Sequence, residues 1–209
     1  GGRTSKGKAI VNILPIPTGV SVAAVLPIDR DEDHWDELQI VFATTAGDVR
    51  RNQLSDFANV RSNGKIAMKL PEDGSVSLVN ARICTEDDDV MLVTDAGRAI
   101  RFRTTDVRVF KGRDSTGVRG IRLPDGATVV SMAVIRHFEA SAEDRAAYLK
   151  MRRAVAGVTE EAEDSDEEAV ADTALSPEQY AEMSAAEDLI LTITAKGSGK
   201  LSSSHDYPV

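Results

Sequence analysis

The strongest constraint on this chain is a repeat with a period of 50 residues. Thr44-Thr45-Ala46-Gly47 returns as Thr94-Asp95-Ala96-Gly97 and again as Thr194-Ala195-Lys196-Gly197. Downstream, Asp56 and Phe57 correspond to Asp106 and Val107, then to Asp206 and Tyr207. Upstream, Ile40-Val41-Phe42-Ala43 corresponds to Val90-Met91-Leu92-Val93 and to Ile190-Leu191-Thr192-Ile193. A fixed period of this kind is the mark of an architecture in which one supersecondary unit buries its apolar face only against its neighbours. The last gap is a double period, so the third copy carries an insertion of about one repeat length, beginning after Ile135-Arg136.

Each unit reads as strands. Val90 to Thr94 is a short apolar run, as expected of a strand buried on both faces. Ala96-Gly97 is a turn signal. Beyond it Ile100 and Phe102 alternate with Arg101 and Arg103, which predicts one apolar face and one basic face. A second motif closes each unit: Ser62 to Leu70 resembles Ser115 to Leu123, and Ser5 to Ile13 is a weaker version. Within it Ile66, Met68 and Leu70 alternate with Lys65, Ala67 and Lys69, which predicts a further strand. Val76 to Ile83 and Val129 to Ile135 follow Pro-containing turns and predict two more. Four strands per 50 residues is the arithmetic of a propeller blade. The expected fold class is therefore all-β: a partial ring of four-stranded, propeller-like blades. The predicted layout is a blade tail at 1–14, blades at 19–70 and 74–123, and a blade at 126–209 interrupted at 137–187. With no initiator Met, the chain reads as an excised piece of something longer.

The insertion is different material. Ser141 with Asp144, and Ser176-Pro177-Glu178-Gln179, are helix starts, predicting helices over 142–156 (stopped by Gly157) and 177–185. Thr159 to Ala171 is mostly acid and alanine and predicts disorder. Residues 137–188 hold fifteen Asp or Glu against four Lys or Arg. Of the 34 acids and 25 bases in the whole chain, 19 and 21 remain elsewhere. The net charge of −9 thus belongs to one segment, and the rest is slightly basic.

The basic side chains recur by slot. Arg50 and Arg51, then Arg98, Arg101 and Arg103, follow the Gly turn. Arg61, Lys65 and Lys69, then Lys111, Arg113, Arg119 and Arg122, surround the closing motif. Lys6 and Lys8 take that place in the first tail, and Lys196 and Lys200 follow the last turn. Acids seldom occupy these slots, Asp48 being an exception. Blades stacked side by side would align such cations along a rim able to track a phosphate backbone. These sixteen residues are the candidate DNA contacts. No catalytic or metal-binding set competes with them. His34, His137 and His205 do not repeat and read as surface residues. Glu86-Asp87-Asp88-Asp89 reads as a solvated loop without EF-hand spacing. Gly117 to Gly120 and Gly197 to Lys200 read as tight turns rather than a nucleotide cradle. The lone Cys84 reads as a buried, inert thiol, in keeping with a reducing cytoplasm. No apolar run approaches the roughly 18–20 residues of a membrane span.

Gly7 to Leu14, Phe42 to Gly47, Arg61 to Ala67 and Gly117 to Leu123, in that order, are similar to the C-terminal domain of the A chain of DNA gyrase. The resemblance covers all but the insertion. It implies a β-pinwheel, whose blades exchange strands, and a role in bending double-stranded DNA around a basic rim to support ATP-dependent negative supercoiling. It also implies that ATP and Mg2+ act elsewhere, with no cofactor in this piece. The implied partners are the gyrase A N-terminal region and the gyrase B subunit, with no membrane and no small-molecule substrate, in the bacterial cytoplasm. DNA cleavage would use a tyrosine outside this region, since Tyr148, Tyr180 and Tyr207 lack that context. The family's basic Gln-Arg-Arg-Gly-Gly-Lys-Gly box is missing, which keeps the equivalent chain of topoisomerase IV open as an alternative. From another class, a propeller-like scaffold for acidic proteins also fits. The insertion has no counterpart in the implied pattern.

Overall fold

Glycine explains why the repeat folds into hairpins. Gly47, Gly97 and Gly197 have φ of +85°, +74° and +85°, the left-handed region that other residues enter at a cost. The computed structural model, which describes residues 6–28, 32–61, 63–156 and 175–209, places each of them in the turn of a two-stranded unit. Strands β1 (Gln39–Thr44) and β2 (Asp48–Gln53) form the first hairpin, and β3 (Leu78–Cys84) follows. Strands β4 (Asp88–Thr94) and β5 (Ala99–Arg103) form the second, followed by the short β6 (Val109–Phe110) and β7 (Val118–Arg119) and by β8 (Val129–Arg136). Strands β9 (Leu189–Ile193) and β10 (Gly199–Ser203) form the third.

The ladders cross the boundaries read from the repeat. Strand β3 pairs antiparallel with β1, and β8 with β4. Strands β6 and β7 leave the second unit and add to β2 of the first, β6 in parallel and β7 antiparallel. The first sheet reaches its full width only by this exchange. Gly117 sits at the crossing point: at φ +99°, a Cβ there would lie 2.3 Å from the Val49 carbonyl oxygen.

The strand expected over 65–70 does not form. Lys69 N–H donates to Ser115 O, but Ile66 is 69% exposed, and among the described residues no strand lies beside this segment. Its counterpart, β7, becomes a strand because β2 offers it an edge, so the closing motif needs a neighbouring hairpin and not merely alternation. Residues Ile10–Asn12 of the first tail likewise form a 3-10 turn instead of a strand.

The main core lies between the first two sheets. Val41, Ala43, Val49 and Cys84 from one meet Val90, Leu92, Val129 and Met132 from the other. Each large aliphatic buried this way contributes about 1.5–3 kcal/mol. The opposite face of the first sheet, with Ile40, Phe42, Leu54 and Ala81, packs against Ala24, Leu26 and Trp35. Cys84 is buried, and burial pushes its thiol up to about 12. On the third hairpin Leu189, Leu191, Ile193 and Leu201 are exposed, whereas Met91, which holds the same repeat position as Leu191, is buried.

The insertion is anchored. Helices α1 (Ala142–Val155) and α2 (Pro177–Ala186) begin at the expected caps, Ser141 and Ser176. The stretch 159–171, expected to be disordered, and the Gly157 stop lie outside the described residues. Tyr148, Leu175 and Met183 make a small separate core with Phe138 and Tyr180 at its margin. Two histidines expected at the surface are instead parts of this joint. His205 is buried, with Nε2 2.9 Å from Met183 O and its ring edge-on to Tyr148 and Phe138. His137 lies with Nδ1 2.9 Å from Asp89 Oδ1. Neither repeats because each serves the insertion, and only one unit has an insertion. His34 is solvent-exposed, as expected. Asp89 is fully buried, so the run from Glu86 is a solvated loop only at its start.

Candidate nucleic-acid interface

The sixteen candidate cations separate by what covers them. Lys6, Lys8, Arg61, Lys69, Arg98, Arg103, Lys111, Arg119, Arg122, Lys196 and Lys200 are exposed. Lys65 and Arg113 are half-buried. Arg50, Arg51 and Arg101 are buried, which corrects the expectation that alternation would aim them at solvent. In a stack of blades both faces of an inner sheet are covered, so the residue beside an apolar one still meets protein.

The buried arginines hold neighbouring units together. Arg51 donates from Nε to Val107 O at 2.6 Å in the next unit, and from Nη1 to Gln39 Oε1 at 2.7 Å. Arg101, 50 residues on, does the equivalent. Its Nε meets Asp89 Oδ2 at 2.7 Å, and its Nη1 donates to Ser204 O and Tyr207 O at 2.8 and 2.9 Å. The repeat slot is therefore a latch: one bond to the opposite strand of its own hairpin and one or two to the following unit. Leu201 holds this slot in the third hairpin, opposite Leu191.

The exposed cations lie at turns, strand ends and loops. Arg98 and Lys196 flank equivalent hairpin turns. Arg119 sits across the ladder from Asp48, lowering that carboxyl, although burial outweighs it and leaves Asp48 raised. A cluster gathers where β6 and β7 cross to β2. Lys65 Nζ and Arg113 Nη1 both donate to Asp56 O, at 3.3 and 2.8 Å, at the end of the 3-10 turn Leu54–Phe57. Arg50 lies beneath. Arg108, not a candidate from sequence, stacks its guanidinium 3.9 Å above the Phe110 ring. A search for recurring cations passes over it because Ala58 and Pro208 occupy the equivalent positions. Its spacing to Phe110 was the available signal. Lys6 and Lys8 stand apart, on the segment before the first 3-10 turn.

Comparison with known proteins fits this arrangement. The family model described as DNA gyrase C-terminal domain, beta-propeller, matches residues 39–85, 88–136 and 188–209. The break in that match falls on the insertion. The chain is 47% identical to the DNA gyrase A protein of Granulibacter bethesdensis over 220 residues, covering 100% of this chain and 23% of that protein. It is 40% identical to the DNA gyrase A protein of Rickettsia bellii, covering 98% of this chain and 22% of that protein. The insertion, unaccounted for by the family pattern, lies within the first of these matches. Among solved structures, the C-terminal domain of DNA topoisomerase IV superposes with a TM-score of 0.56 at 26% identity, covering 63% of this chain and 39% of that one. The chain thus spans under a quarter of the relatives it matches, over a region where repeat, exchanged strands and family model coincide. It belongs to the DNA gyrase C-terminal domain, beta-propeller family.

Proposed function

We propose that this chain is the DNA-wrapping part of a DNA gyrase A protein. Exposed cations on the turns and loops of successive blades engage the phosphate backbone of a DNA duplex and bend it. The bend presents a second duplex segment to a cleavage gate formed by the rest of the gyrase A protein. ATP hydrolysis on the B subunit then drives negative supercoiling in the bacterial cytoplasm. In this reading the chain supplies no catalytic group and no cofactor site, and ATP and Mg2+ act elsewhere in the complex.

The observation that carries the reading is the exposure of cations from successive 50-residue units on one exchanged-strand framework, in a chain whose net negative charge comes from a single insertion. Phosphate contacts of this kind position DNA without reading its sequence, so binding is expected to be sequence-tolerant and steeply salt-dependent. The likeness to the topoisomerase IV domain favours a second reading, the equivalent chain of that enzyme.

Ligation of nicked circular DNA in the presence of the protein tests the proposal. A wrap leaves a linking-number shift after the protein is removed. Binding without a shift overturns the wrap. Absence of binding to duplex at low salt eliminates both and leaves a scaffold for acidic proteins.

A further inference from the structure

Resting on the DNA reading, we propose that Arg50, Arg108 and Arg113 form a phosphate subsite across the strand-exchange joint, and that its ligand is one phosphodiester of the DNA backbone.

Arg50 is 0% exposed, yet among the described residues no carboxylate makes an ion pair with it. Its Nε donates to the Asn52 side-chain oxygen at 2.7 Å, and its Nη1 to Ser115 O and Oγ at 2.6 and 2.7 Å, all neutral acceptors. Among the described residues its Nη2 is buried with no hydrogen-bond partner. Asp56, the nearby acid, is bonded to Asn52 Nδ2 at 3.1 Å, and Asp114 is exposed. Burial pushes the Arg50 guanidinium down. Asp114 and Asp56 oppose this, and Arg108 and Arg113 reinforce it.

The contrast with Arg101 is informative. That arginine is also buried, but the fold gives it the Asp89 carboxylate and carbonyl partners for both Nη atoms. Arg51 is held by neutral acceptors too, but no nitrogen of it is orphaned. Only Arg50 among the three combines an orphaned donor with other cations close by. Arg108 shares the Phe110 ring with Arg50, at 3.9 and 4.7 Å from the two guanidinium carbons. Among the described residues Arg108 makes no hydrogen bond or ion pair. Arg113 uses only Nη1, on Asp56 O, leaving its other donors free.

Three guanidiniums without an ion pair, one carrying an orphaned N–H, match an anion with divergent acceptor oxygens. A phosphodiester fits that description, because its two free oxygens take guanidinium N–H groups pairwise. Arg108 and Arg113 make the contact with the two oxygens, and Arg50, which has no exposed surface, adds its uncompensated charge from behind them. Phe110, Arg113 and Ser115 belong to the unit that lends strands to β2, so a phosphate held here ties the two units together as DNA binds.

The test uses a short duplex and inorganic phosphate as separate probes. Arg108→Ala changes an exposed residue and is expected to melt as the wild type. It should weaken duplex binding about tenfold and reduce the slope of log K against log salt by about one. Arg153→Ala, on the exposed face of α1, should alter neither. The Arg50 Nε–H resonance should move on duplex addition in the wild type and stay in place in Arg108→Ala. If the wild type binds duplex but Arg108→Ala and Arg113→Ala bind equally well with an unmoved Arg50 resonance, the subsite is wrong and the DNA reading survives. If duplex fails to bind the wild type, the DNA reading itself falls. If inorganic phosphate moves the Arg50 resonance and duplex does not, the site takes a free phosphate and the assignment to DNA is overturned.

Discussion

Replacing Arg101 by methionine is expected to loosen the joint between units, not to weaken an outer DNA contact. The side chain is 4% exposed and makes four bonds: to Asp89 Oδ2 at 2.7 Å, to Ser204 O at 2.8 Å, to Tyr207 O at 2.9 Å and to Arg136 O at 3.1 Å. Methionine keeps much of the volume and removes every donor. The Asp89 carboxylate, itself fully buried, then keeps only His137. Removing one partner from a buried ion pair costs about 3–5 kcal/mol, mostly because the other charge is stranded. For a protein of this size each kcal/mol moves Tm by about 2–4 °C, so Tm should fall by about 6–20 °C. Adding Asp89→Asn should recover more than half of the loss, since the stranded charge is its main cause. Arg103→Met, two residues along the same strand but exposed, should stay within about 0.5 kcal/mol. Thermal melts followed by far-ultraviolet circular dichroism, with duplex affinity measured on each folded variant, separate the two roles. An Arg101→Met protein that melts like the wild type but has lost DNA binding would refute the latch and restore Arg101 to the rim.

Three further outcomes follow from the joint and the core. His205→Ala removes the Met183 O contact at 2.9 Å and the Tyr148 and Phe138 ring contacts. It should release the insertion at a cost of about 2–4 kcal/mol, seen as faster proteolysis within α1 and α2 while the strand signal is kept. Cys84, pushed up to about 12 by burial, should resist alkylation at pH 8 in the native protein and react once denaturant is added. The Asp95 carboxyl accepts from Thr128 N and Oγ1, both at 2.9 Å, which holds it below the usual aspartate range. A carboxyl lowered by folding stabilises the native state above its ordinary value near pH 4 and loses that contribution as pH falls through its lower native value. Asp95→Asn should therefore be less stable than the wild type at pH 7 and approach it below about pH 4, where the carboxyl is protonated anyway, so that the acid limb of the stability curve is flattened.

The hairpins were legible because their signals are local. A glycine at the turn and an apolar run before it needed no knowledge of the rest of the chain, and β1, β4 and β9 stand where the repeat put them. The two helices were legible for the same reason, through Ser141 and Ser176. What failed was whatever depended on a neighbour. Residues 65–70 alternate as well as β7 does, but a strand needs an edge, and only Val118 and Arg119 find one, on β2. His137 and His205 carry no recurring pattern, because their partners, Asp89 and Met183, become neighbours only after the insertion docks.

The same distinction decides which cations are free to meet DNA. Alternation says which way a side chain points relative to its own sheet, but not whether that direction ends in water. In β2 the four inner residues are all buried, Arg50 and Arg51 included, because one face meets the second sheet and the other meets the loop that follows β6. The fold uses these arginines differently from those at the turns. Arg51 and Arg101 each spend donors on carbonyls of the next unit as well as on their own hairpin, which ties successive units together. Arg98, Lys111, Arg119 and Lys196, at turns, ends and loops, keep theirs for solvent. A basic repeat in such a chain thus encodes two things at once: the inner position ties neighbouring units together, and the outer positions give the surface its charge. Moving a basic residue from the inner part of a strand to its end or turn would leave composition and net charge unchanged, yet would move it from one task to the other.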